Sequence, residues 1–304
     1  MVLLGMKRIG LFVLIIILIN SCMKSHHEKT IIKNGISIYT EHFGKPGNPT
    51  ILLIAGATVS LLYWDKEFCE KLSQKGFFVI RYDNRDVGKS TTGKPGSVSY
   101  SIEDLADDAI HILDGYHIRQ ANIMGISLGG LLGQIIAIKY PERIGSLVLM
   151  STGPWGTPDP KVPEMDKQII DFQVKATDVN WGDEKAIVNY MLESSHLMAG
   201  QKPVNYAKEE KRIRADFHRS INYRSMFNHS LLQGGEAYYD RLNEIKSPTL
   251  IIHGSDDKIW HFGHTDKLLS EIKNSELLKL NGTGHELNEN DWDIIINRLN
   301  EFMK

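Results

Sequence analysis

A chain of 304 residues that is 42% hydrophobic and 24% charged, with 26 Gly and only 10 Pro, can bury a substantial core, which excludes disordered, collagen-like and disulfide-stapled architectures. A formal charge of −2 without long blocks of one sign points to neither nucleic acid nor an anionic surface as a partner. Two Cys are too few for a disulfide framework, and twelve His without paired Cys or His-Glu-x-x-His spacing give no metal signature.

The first segment reads as an address. Lys7 and Arg8 precede an apolar run over residues 9–19, and Asn20-Ser21-Cys22 ends it. Eleven apolar positions are too few to cross a bilayer core, which takes about 20 residues. The order basic, apolar, small is that of an export signal over residues 1–21. Ile19-Asn20-Ser21-Cys22 resembles a bacterial lipobox. That resemblance implies lipidation of Cys22 and an exported lipoprotein held in the cell envelope, on the periplasmic side or at the outer membrane. An uncleaved anchor and a start at Met6 are the alternatives. Residues 22–33, polar and rich in Lys and His, read as a tether, and lipidation leaves Cys69 without an intrachain partner.

Beyond the tether, strand patterns alternate with helix patterns. Residues 36–39 alternate as an edge strand does, and residues 44–49 are dense in Gly and Pro turn chemistry. Apolar runs at 50–55, 77–82, 121–124 and 146–150 are continuous, as in strands covered on both faces. Between them, residues 65–75, 102–116 and 128–140 place apolar side chains at helical spacing. The alternation predicts a mostly parallel sheet with right-handed crossovers. Residues 153–248 contain Pro154, Pro158, Pro160 and Pro163 and then helical stretches without a buried-strand run. The β pattern resumes at 249–254, followed by a helix at 264–272, a strand at 276–280 and a helix at 290–302. A sheet domain over 34–152 and 249–304 thus carries a helical insertion at 153–248.

The chemistry falls at strand ends. Gly125-Ile126-Ser127-Leu128-Gly129 lies between a strand and a helix, where glycines permit the sharp turn that exposes a serine hydroxyl. Elsewhere in a chain the same string is a Gly-rich turn with a capping serine. A serine nucleophile needs a base and a group that orients it. The loops after the last two strands supply Asp256 and Asp257, then His285, in the order Ser, acid, His. The tetrahedral oxyanion needs donors: the N–H of Leu128, at a helix N-terminus, and that of Ala57, in the turn after the strand ending at Ala55. Thr58 and Ser60 bring hydroxyls nearby, for which packing or capping is the plainer use.

From residue 36 onward the chain resembles the α/β-hydrolase superfamily, with the insertion as its cap. Trp64-Asp65 with Phe68, residues 76–92 and Gly284-His285-Glu286-Leu287 resemble the aclacinomycin methylesterase-like branch. The resemblance implies Asp257 as the acid, three positions after Gly254, and a structural role for residues 83–90. It also implies an ester as small-molecule substrate and no cofactor, metal or nucleic acid. Two departures stand out: Ala55-Gly56 replaces a common His-Gly, which leaves the exact oxyanion donor open, and Lys258 replaces a proline often found after the acid. A serine at the elbow argues against the dehalogenase and epoxide hydrolase branches, which use aspartate there. The expected activity is cleavage of small to medium, hydrophobic carboxylic esters through an acyl-enzyme. The cap aromatics, among them Trp155, Trp181, Tyr190, Phe217, Tyr223 and Phe227, line the pocket or pack among themselves. A carbon-carbon hydrolase or cofactor-free perhydrolase would use the same three residues, and a catalytically silent binding module would not need them.

Overall fold

The computed structural model describes residues 26–303. The expected signal and Cys22 lie outside the described residues. Eight strands form one sheet: β1 (His26–Lys33), β2 (Ile36–Phe43), β3 (Thr50–Ile54), β4 (Phe78–Tyr82), β5 (Ala121–Ile126), β6 (Ile144–Met150), β7 (Thr249–Gly254) and β8 (Ser275–Leu280). Their order is β1-β2-β4-β3-β5-β6-β7-β8. β1 and β2 pair antiparallel, β2 joins β4 antiparallel, and the remaining neighbours are parallel.

The continuous apolar runs become central strands because helices cover both faces. On one face Leu52, Ile54, Ile80, Ile123 and Leu147 meet α2 (Ile102–Gly115) and α3 (Leu128–Lys139). On the other, Ile51, Leu53, Val79, Met124 and Val148 meet α1 (Lys66–Gln74) and α8 (Trp292–Phe302). Each such side chain, fully withdrawn from water, contributes roughly 1.5–3 kcal/mol. Ser101 starts α2 with a reciprocal capping box, its hydroxyl accepting from Asp104 N–H while the Asp104 carboxylate accepts from Ser101 N–H.

One expectation needs correction. Of the residues read as a tether, those from His26 onward form β1, which pairs with β2 from His26↔Phe43 to Lys33↔Ile36. His27 stacks on His42, Thr40 Oγ1 donates to the Lys29 carbonyl at 2.8 Å, and Ile31 is buried against Gly115. The segment imitates a linker because an edge strand carries polar and charged side chains on its solvent face. The strand expected at 36–39 is accordingly the second in the sheet and runs on to Phe43.

From β3 the chain steps outward to β4 and then crosses back to β5, so β3 and β5 are neighbours whose connections leave in opposite directions. The crevice beyond their carboxyl ends is a topological switch point, where open α/β sheets bind ligands. Residues 151–248 leave after β6 and return as its parallel neighbour β7, with Leu147 opposite Thr249. Among the described residues they form α4 (Lys167–Val174), α5 (Glu184–Met198), α6 (Tyr206–Arg219) and short 3-10 turns, with no strand. α7 (His264–Glu271) links β7 to β8.

The end of α6 is fastened to the sheet domain by a buried fork. Arg219 Nη1 and Nη2 donate to the two carboxylate oxygens of Asp83 at 2.9 and 2.7 Å, and Asp83 also accepts the N–H groups of Leu61 and Lys89, each at 2.8 Å. Arg219→Met would leave this fully buried carboxylate short of its countercharge. A loss of about 3 kcal/mol or more is expected in urea unfolding. A loss under about 1 kcal/mol would contradict the structural weight given to the pair.

Candidate active site

At the end of β5 the backbone turns through Ser127 at φ 53°, ψ −120° and enters α3 at once. Such a conformation costs a non-glycine residue on the order of 1–3 kcal/mol, so its surroundings must hold it. Ser127 N–H donates to the Met150 carbonyl at 3.0 Å, and Thr152 Oγ1 donates to the Ser127 carbonyl at 2.9 Å. The glycines follow from close approach: a Cβ on Gly125 would run into the Gly129 carbonyl, and one on Gly129 into the Ile54 carbonyl. The Ser127 hydroxyl makes no capping bond to its own helix, which separates it from the plain capping serine. It sits across from Gly56, whose missing Cβ would stand 3.9 Å from Oγ.

The ends of β7 and β8 supply the partners. His285 Nδ1 and Asp257 Oδ2 are 2.9 Å apart. Asp257 Oδ1 accepts the N–H groups of Ile259 and Trp260, both at 2.9 Å. With a carboxylate as acceptor, the His285 proton is assigned to Nδ1, which leaves Nε2 free to act as a base. Burial alone would push the Asp257 carboxyl up. His285, by charge and hydrogen bond, then His253 and the Trp260 N–H, outweigh it and hold the group below the usual carboxylate range.

Asp256 faces elsewhere, accepting from Ser255 Oγ and from Gln201 Nε2 of the insertion, both at 2.7 Å. Lys258, where the family resemblance sets a proline, points its ammonium at the carbonyls of Leu197 and Ala199, 3.4 and 3.5 Å away at the C-terminal end of α5. His285 N–H donates to the Met198 carbonyl at 2.8 Å, and Gly200 and Gly284 touch so closely that neither site has room for a Cβ. The two neighbours of Asp257 therefore hold the insertion while Asp257 itself holds the imidazole.

Ala57 begins the turn after β3. Leu128 is the first residue of α3, so its N–H has no acceptor within the helix. Thr58 Oγ1 donates to the Ala57 carbonyl at 2.6 Å, and Ser60 Oγ accepts from Leu62 N–H at 3.2 Å and also bonds the Asp216 carboxylate of α6, so both hydroxyls serve structure. The aromatic side chains of the insertion largely pack together. Trp181 meets Tyr190, Phe227 and Tyr223, Phe172 stacks on Tyr190, and Phe217 lies edge-on to Tyr223. An open depression of about 610 Å³ bounded by Trp181, Phe217, Tyr223 and Arg224 shares no residue with Ser127, Asp257 or His285.

Three residues had escaped the reading by motif. His253, wholly buried in β7, is 2.6 Å through Nε2 from the Trp260 carbonyl and 3.6 Å from Asp257 Oδ2, bracing the acid turn from below. Its only trace in the sequence is a polar residue within an apolar strand. His229 and Arg219, both of the insertion, reach residues 58, 83 and 85, and nothing in the local pattern announces it.

The comparisons with known proteins agree with the fold. Residues 49–291 match the family described as alpha/beta hydrolase fold. Among curated relatives, a rhodomycin D methylesterase of Streptomyces sp. (strain C5), DauP, is 28% identical over 276 residues, 85% of this chain and 92% of its own length. A putative carbamate hydrolase, RutD, of Agrobacterium fabrum is 28% identical over 258 residues, 84% of this chain and 93% of its own. Among solved structures, a hydrolase from Pseudomonas aeruginosa superposes with a TM-score of 0.68 at 24% identity, over 91% of this chain and 98% of that one. The chain belongs to the alpha/beta hydrolase fold family, and it is a hydrolase.

Burial holds His229, His253 and His264 below the ordinary histidine value. On acidification the unfolded chain takes up their protons first, near pH 6.5. Their contribution is therefore complete above that pH and declines as pH falls below it. Glu286, which burial holds above the usual carboxylate range, acts in the opposite sense. His264→Phe keeps the packing on Trp260 and removes one titration. Between pH 7.5 and 5.5 it should lose less stability than the parent by on the order of 1 kcal/mol, read from thermal unfolding at both pH values. Equal losses would show that His264 titrates alike in both states.

Proposed function

We propose that the protein is a serine hydrolase that cleaves carboxylic esters of small to medium, hydrophobic substrates through an acyl-enzyme. The observation that carries this is the placing of a strained Ser127 beyond β5 in one sheet with the buried Asp257–His285 pair beyond β7 and β8. The rhodomycin D methylesterases of two Streptomyces, which match along most of their length, support an ester as the bond broken.

In the first half-reaction Ser127 Oγ attacks the ester carbonyl carbon while His285 Nε2 takes the hydroxyl proton. Asp257 keeps the imidazole in the required tautomer and stabilises its cationic form. The oxyanion rests on the N–H groups of Leu128 and Ala57. The carbon-oxygen bond to the alcohol breaks, and the alcohol leaves with the proton from His285. Water then gives a proton to His285 and attacks the acyl carbon, and collapse of the second tetrahedral intermediate returns that proton to Ser127 as the acid departs. Residues 153–248 act as a cap, a reading supported by the contacts of Met198, Ala199 and Gln201 with the loops of His285, Lys258 and Asp256. Chain length and bulk are then selected by what fits beneath it.

The export signal and the lipid on Cys22 belong to the same proposal. Among the described residues no helix is long and apolar enough to cross a membrane. Since β1 begins at His26, four residues of chain reach at most about 14 Å. An enzyme anchored there works close against the bilayer surface.

Ser127→Ala should lower turnover of an activated ester by about 10⁴-fold or more, with the fold unchanged. Asp257→Asn should cost about 10⁴-fold, whereas Asp256→Asn, whose carboxylate bonds Ser255 and the cap residue Gln201, should stay within about tenfold. Steady-state rates on a p-nitrophenyl ester series measure all three. Full turnover by Ser127→Ala, or equal losses at positions 256 and 257, would overturn these assignments.

A further inference from the structure

Thr58 holds φ at 63°, a left-handed conformation that a β-branched residue adopts only under constraint. The peptide plane between Ala57 and Thr58 is gripped at both ends. Its carbonyl oxygen accepts from Thr58 Oγ1 at 2.6 Å, and its N–H donates to His229 Nδ1 at 3.0 Å. His229 is buried, and its Nε2 lies 2.7 Å from the Arg85 carbonyl. A carbonyl can only accept and an amide N–H can only donate, so the ring is the neutral tautomer with its proton on Nε2. Burial, which holds the ring below the ordinary histidine value, keeps Nδ1 available as an acceptor.

We propose that His229 is a positioning residue for ester cleavage, a clamp carried by the cap that sets the oxyanion turn. Because a peptide unit is planar, fixing the plane of Ala57 and Thr58 holds the Ala57 Cα and carbonyl carbon in place, so the Ala57 N–H is aimed from an anchored base through its own φ and ψ. Occupation of the Thr58 N–H by His229 also leaves Ala57 as the donor of that turn. The clamp is in turn fastened. Asn228 donates to Asp86 at 3.0 Å and accepts from Gly96 N–H at 2.8 Å, while Ser225 Oγ donates to the Gly93 carbonyl at 2.7 Å. A cap lifted at this end releases Thr58, so the oxyanion site is complete only when the cap is seated.

The inference rests on the proposed role of Ser127, and two single-contact variants separate the two. In His229→Asn the amide oxygen takes the place of Nδ1 and keeps the bond to Thr58. In His229→Gln the amide nitrogen takes the place of Nε2 and keeps only the bond to Arg85. Both are assayed as full chains on p-nitrophenyl esters, with kcat referred to the sites that take a fluorophosphonate and with melting temperatures measured alongside. His229→Asn should keep kcat within about threefold, and His229→Gln should lose about 10-fold to 100-fold in kcat with KM within about twofold, less than deletion of an oxyanion donor costs. Equal losses in the two variants, or losses that follow the melting temperature, would overturn the clamp. An inactive Ser127→Ala beside a fully active His229→Gln would also remove the clamp while leaving the serine reaction in place. A fully active Ser127→Ala would remove both.

Discussion

The turn at Ser127 is the constraint from which the site follows. A backbone at φ 53° is unfavourable, and here it is enforced by two glycines that nothing larger can replace and by bonds to Met150 and Thr152 of the neighbouring strand end. Its effect is to lift a hydroxyl out of the sheet at the switch between β3 and β5, the one crevice where two connections diverge. Every other group of the site stands at the carboxyl end of a strand in the same sheet: Gly56 and Ala57 after β3, Asp257 after β7 and His285 after β8. Parallel pairing brings those ends to one edge of the sheet, so residues far apart in the chain are presented on the same side.

The acid turn divides its labour by side-chain direction. Asp257 points inward to His285 and to two N–H groups of its own loop, with His253 beneath it. Asp256 and Lys258 on either side point outward to the cap. With the Arg219–Asp83 fork and His229, the insertion is attached to the sheet domain through polar contacts at several places, Arg219 reaching the buried Asp83 and His229 being itself buried. Buried polar contacts of this kind are sensitive to geometry and add specificity more than net stability. They specify one seating of the cap, the arrangement a site needs if the roof takes part in arranging the groups below.

Much of this was legible beforehand, for identifiable reasons. Strands covered on both faces read as continuous apolar runs, so β3, β4, β6 and β7 lie within about two residues of where the pattern puts them, and the elbow is visible because its glycines are sterically compelled. β1 was hidden, since the outer face of an edge strand has the composition of a linker. Asp256 and Asp257 were inseparable by residue type and spacing alone, because adjacent loop residues have no periodicity to tell inward from outward, and only the resemblance favoured Asp257. His229 and Arg219 were invisible for a deeper reason: each acts through a partner more than a hundred residues away, and no local pattern encodes such a pairing. Lys258, noted only as a departure, has its explanation in the end of α5.

The central claim is that Ser127 carries the acyl group between alcohol and water. The most direct test is mass analysis of the peptide containing Ser127 after acid quenching of the enzyme with a p-nitrophenyl ester, at times shorter than one turnover. The account predicts that the acyl mass appears on Ser127, approaching one per molecule and no more slowly than turnover. Steady turnover with Ser127 unmodified, or with the acyl group on another residue, would contradict it.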